Sequence, residues 1–79
     1  MRDWELFIKT RVVNDFDVEK YTDFIKDNDG VVYLVTTDDE DDCIYVTFKS
    51  SPDVLRELDA KLKEDNNIYA HMLMRRGEW

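Results

Sequence analysis

Glycine occurs twice in these 79 residues, and proline, cysteine and histidine once each. So few chain breakers leave no flexible linker, internal repeat or low-complexity tract, and a single domain over residues 1–79 is expected. The lone Cys43 closes no internal disulfide, so disulfide scaffolds are excluded and a reducing, cytoplasmic setting is expected. No apolar run approaches the roughly 18 residues of a membrane span or the core of a signal peptide, so no membrane association is expected. Basic residues are scarce too: eleven Lys plus Arg stand against nineteen Asp plus Glu, a net charge of −8. Unaided binding to nucleic acid is disfavoured, because phosphate is gripped by clustered cations. A basic protein partner suits this charge.

What is present suffices for a small core. Apolar residues make up 43% of the chain, with four Phe, four Tyr and two Trp, whereas a disordered chain is poor in them. Trp4, Leu6 and Ile8 alternate with Glu5, Phe7 and Lys9, the period of two of a half-buried strand running from Arg2 to about Val13. The stretch Asn14-Asp15-Phe16-Asp17 supplies helix-capping side chains. Val18, Tyr21, Phe24 and Ile25 then recur at helical spacing up to Asp27-Asn28-Asp29-Gly30, with Gly30 read as the left-handed residue that stops the helix.

Two β-branched and aromatic runs, Val31 to Thr37 and Cys43 to Phe48, flank an acidic loop short enough for a hairpin. A second helix starts with Ser51 as cap and Pro52 in the first turn, and carries Leu55, Leu58 and Leu62 as its apolar stripe. Glu57 with Lys61 and Asp59 with Lys63 give it a charged outer face. After Asp65-Asn66-Asn67 a last strand covers Ile68 to about Met74. The order βαββαβ predicts an α+β, ferredoxin-like split βαβ fold: a four-stranded antiparallel sheet with two helices on one face. The other face stays open as the expected binding surface, with Phe7 and Tyr45 on it as candidate partner contacts.

Chemistry-bearing motifs are sparse. One His71 and one Cys43, neither in a nucleophile motif, predict a non-enzyme. The acidic run Asp38, Asp39, Glu40, Asp41 and Asp42 does not make an EF-hand, since centring that loop on Gly30 puts Ile25 and Thr36 where its acids belong. No metal or cofactor is expected. The run reads instead as a solvated hairpin tip or an acidic surface offered to a basic partner. The segment after the first strand, Thr10 to Asp15, lacks the glycines of a phosphate-cradling loop. Cys43 to Phe48 lacks the glycine and basic start of an RNA-recognition strand. Arg2, Arg75 and Arg76 at the strand ends, flanked by Trp4 and Trp79, remain as candidate phosphate contacts.

At these positions the chain resembles the bacterial ribosomal protein S-six family. The opening Met1-Arg2-Asp3-Trp4-Glu5-Leu6, the Val18-Glu19-Lys20-Tyr21-Thr22 segment with Ile25 and Gly30, the run Ser51 to Leu58, Asp65-Asn66-Asn67-Ile68 and Met72-Leu73-Met74-Arg75 follow its pattern in order. The resemblance implies the same βαββαβ fold and a small-subunit ribosomal protein that pairs with basic ribosomal protein S-eighteen and, jointly with it, binds ribosomal RNA. It puts Arg2 and Arg75 near RNA and Trp4 at the aromatic position of the first strand. The middle hairpin departs from the family, cut by on the order of twenty residues to its acidic tip. Two alternatives accompany this reading: an acidic S-six-like interaction protein or decoy that binds a basic nucleic-acid-binding partner outside the ribosome, and a reduced or engineered scaffold without activity.

Overall fold

A computed structural model describes residues 1–76 as β1 (Arg2–Thr10), a 3₁₀ turn (Val13–Asp15), α1 (Glu19–Asp27), β2 (Val31–Asp38), β3 (Cys43–Ser50), α2 (Pro52–Glu64) and β4 (Ile68–Arg75). The strands form one sheet in the order β2-β3-β1-β4, with every neighbouring pair antiparallel. Both helices pack on one face, as the ferredoxin-like reading requires. Leu6 and Ile8 of β1 and Ile44, Val46 and Phe48 of β3 meet Tyr21 and Ile25 of α1 and Leu58 and Leu62 of α2 in one buried cluster. Each large apolar side chain so buried contributes about 1.5–3 kcal/mol relative to exposure.

Local chemistry sets the element ends. β1 stops short of Val13 because the Thr10 N–H donates to Asp42 O (2.9 Å) and the chain turns off the sheet to bury Val13. The Asp17 Oδ1 accepts from the Glu19 N–H at 3.1 Å at the start of α1. For α2, Ser51 Oγ accepts from the Val54 N–H (3.4 Å) and Pro52 occupies the first turn, where its missing N–H costs nothing. Asp59 pairs with Lys63 at 3.0 Å, and the Lys61 ammonium lies 5.0 Å from the Phe24 ring centre of α1.

At the end of α1 the structure corrects the reading of Gly30. The left-handed residue is Asp29, with φ 65°, and Gly30 is required for a different reason. A Cβ on Gly30 would stand 2.5 Å from Ile25 Cγ2, 2.7 Å from Ile25 O and 2.8 Å from Lys49 O. The chain passes between the last turn of α1 and the end of β3 with no space for a side chain.

Candidate functional site

On the face that no helix covers, the register builds rows across the sheet. Phe7 lies opposite Tyr45 on one side and Met72 on the other, and Tyr45 lies opposite Thr36. This gives a row Thr36–Tyr45–Phe7–Met72 in which Phe7 is 39% and Met72 54% exposed. The next row carries Leu34, Thr47, Glu5 and Met74, and beside it Tyr33 donates its hydroxyl to Asp3 Oδ1 at 3.1 Å. Tyr33 is the extra residue of a register shift between Val32 and Leu34. Glu5 is a hub here. Hydrogen bonding to its carboxylate pushes the Tyr45 phenol up from its ordinary value, and Arg76 Nε stands 3.9 Å from Glu5 Oε1. The surface is therefore an aromatic and thioether band edged by ordered acid, the mixture that favours a protein contact.

The basic and aromatic candidates divide between faces. Trp4 shares its side with Leu6 and Ile8, packs against the core and donates its indole N–H to Ser50 O at 3.2 Å. Trp4 thus braces β1 against β3 and is not displayed on the open face. Arg75 pairs with Trp4 and Arg2 with Ser50, so both belong to the helix side, while Arg76 reaches Glu5 on the open side. All three stand at one end of the sheet, two on the helix side and Arg76 on the other. Successive strand residues point to opposite sides, so the pair Arg75-Arg76 has to split. Trp79 lies outside the described residues.

The acidic loop divides as well. Asp39, Glu40 and Asp41 are exposed, and Asp38 Oδ1 accepts the Glu40 and Asp41 N–H groups at 3.0 and 3.3 Å to shape the turn. Asp42 has turned inward with φ 51°, where its Oδ1 accepts the Val13 N–H at 3.1 Å. It holds the exit from β1, so the solvent-facing acid is Asp38 to Asp41. Sequence reasoning missed this because the contact joins segments 29 residues apart.

Cys43 and His71 are not brought together. Cys43 is across from Lys9 on the open side, its thiol donating to Asp41 O at 3.3 Å. His71 is across from Ile8 on the helix side, 2.7 Å from Asp59 Oδ1. Among the described residues no three His, Cys, Asp or Glu side chains converge as a metal site, and no helix is long and apolar enough to cross a membrane.

A hollow of about 630 Å³ between α1 and the turn after α2 is built around Asp65. Tyr21 donates to its carboxylate at 2.6 Å, Lys20 pairs with it at 2.7 Å, and the Asn67 N–H donates to it at 2.9 Å. Its polar centre is thus self-satisfied, a staple between α1 and α2 rather than a vacant ligand site. Burial pushes the Asp65 carboxyl up, but Lys20, Tyr21 and Asn67 outweigh it and hold the group below the usual carboxylate range. The His71 and Lys63 hydrogen bonds likewise lower Asp59. Depressed acids stabilise the fold above the unfolded value near pH 3.9 and lose that contribution as pH falls through their folded values. Urea unfolding should therefore show stability dropping below about pH 4. Asp65→Ala should cost about 1–3 kcal/mol at neutral pH, since it strands the Tyr21 hydroxyl, and should flatten the acid decline. An acid limb identical to wild type would refute that role.

Neither a scan of protein-family models nor a search of curated proteins returns a match to this chain.

Proposed function

We propose that this protein is a non-catalytic docking module that works in the manner of S-six proteins: its open sheet face receives a basic protein, ribosomal protein S-eighteen, and the pair holds ribosomal RNA in the cytoplasm. The observation that carries this reading is the uncovered row Thr36–Tyr45–Phe7–Met72 on a chain of net charge −8. An apolar band with acid around it suits a partner whose own contact surface is apolar and rimmed by Lys and Arg. The resemblance over the second helix and last strand supports the choice of partner. In this arrangement Arg2, Arg75 and Arg76 meet phosphate from the end of the sheet, and most of the RNA affinity resides in the basic partner.

The exposed acids Asp38 to Asp41 favour a second reading, in which the protein occupies the partner's RNA-binding surface and acts as a decoy. Titration with purified S-eighteen, with and without a central-domain fragment of the small-subunit RNA, separates the two across a salt series. The ribosomal reading expects a ternary complex whose affinity falls steeply with salt, and a shallower slope after Arg75→Ala with Arg76→Ala. Partner binding that excludes RNA establishes the decoy, and no binding to S-eighteen in any salt rejects both.

A further inference from the structure

The sheet order leaves β2 paired on one side alone. Edge strands of soluble proteins are commonly blunted by lysine, proline or inward charge. From Val31 to Thr37 this edge carries none of these, and Val31, Tyr33, Leu34 and Val35 are 47%, 49%, 52% and 39% exposed. The one irregularity, the extra residue Tyr33, leaves Leu34–Asp38 in unbroken register with Thr47–Cys43. Five residues in unbroken register span about 17 Å, enough to accept a short added strand.

Charge selects what is added. At the far end of the edge stand the exposed acids Asp38 to Asp41. Along its helix side a cleft of about 440 Å³ is walled by Val35 and by Val18, Glu19, Thr22, Asp23 and Lys26 of the α1 region. Lys49, across from Val31, is the other nearby cation on the strand side. An uncharged backbone edge framed by carboxylates repels a second copy of this acidic chain, which would bring two acidic frames together, and attracts a strand bearing lysine or arginine.

We infer that β2 accepts an extended basic segment of the partner as a fifth strand, along Leu34–Asp38, with apolar side chains over the Val35 cleft. This rests on the partner being a basic protein, and adds where and in what conformation it is held.

The test uses capped nonapeptides of alternating valine and lysine, with a twin carrying glutamate for lysine, and residue-resolved amide exchange on the whole chain. The expected result is exchange slowed at least ten-fold at alternate amides of β2, affinity at least ten-fold tighter for the lysine peptide, and a gap that closes in high salt. Leu34→Lys should weaken the lysine peptide about ten-fold while amide protection in β1 and β3 stays as in the parent. Equal binding of the two peptides overturns the inference. So does protection of β2 that rises with protein concentration alone, which marks pairing with a second copy. If S-eighteen binds with protection confined to Phe7, Tyr45 and Met72, the edge is rejected and the docking-module reading stands; absence of peptide and S-eighteen binding rejects both.

Discussion

Gly30→Ala is expected to lower the melting temperature by on the order of 10–20 °C. The new methyl group meets two backbone carbonyl oxygens, Ile25 O and Lys49 O, at 2.7 and 2.8 Å, together with Cγ2 of the fully buried Ile25. Backbone cannot swing aside as an exposed side chain does, so α1 must move from β3 or the strand must shift. Overpacking of this kind costs about 1–3 kcal/mol or more, and one kcal/mol moves the midpoint of a domain this size by roughly 4–8 °C. The adjacent position should respond with the opposite sign: Asp29→Gly relieves a left-handed backbone and should raise the midpoint slightly. Thermal unfolding of both variants decides the matter, and a Gly30→Ala protein that melts with the parent would mean that the α1–β3 approach is looser than described.

Under the proposed function Phe7→Asp is expected to weaken S-eighteen binding at least 100-fold, which is about 2.7 kcal/mol, while the chain still folds at a lower stability. Phe7 stands between Tyr45 and Met72 at the middle of the row, 39% exposed and outside the buried cluster beneath the helices. A carboxylate there would be desolvated by any partner that covers the band, and it adds repulsion against the neighbouring Glu5. Tyr69→Asp serves as the comparison. Tyr69 is 62% exposed, outside the row and against Arg11, so its loss should change partner affinity less than three-fold. Titration calorimetry with S-eighteen reads both, and an unchanged affinity for Phe7→Asp would remove the open face from the docking surface.

The layout of the fold was legible because its signals are local. Period two over Trp4 to Lys9, helical spacing over Val18 to Ile25, and the Ser51-Pro52 start each lie within one element, and the structure places an element at each. The face of Trp4 was legible too, since alternation put it with Leu6 and Ile8; the resemblance drew attention toward RNA, while the pleat already placed the ring against the core. What sequence reasoning missed are contacts between distant segments. Asp42 holding the Val13 N–H and Asp65 gathering Tyr21 and Lys20 depend on turns whose directions no single window encodes. Gly30 shows a third case, in which the residue was singled out and its reason misread. Left-handed backbone and close approach both select glycine, and the backbone angle of Asp29 with the positions of Ile25 and Lys49 O distinguishes them.

The register of β1 also orders events in time. Leu6 finds its neighbours in Val46 and Leu73, and every other sheet contact of β1 is with residues of β3 or β4. During synthesis β1 therefore has neither of its pairing strands until β3 has emerged, and its second neighbour arrives only with β4. The β2–β3 hairpin is the one sheet contact that closes locally. Sheets assembled from such distant segments fold on the millisecond-to-second scale rather than in microseconds. Until then Leu6 and Ile8 remain open to solvent and to other nascent chains, and the acidic surface that repels like chains guards this interval as well as the finished molecule.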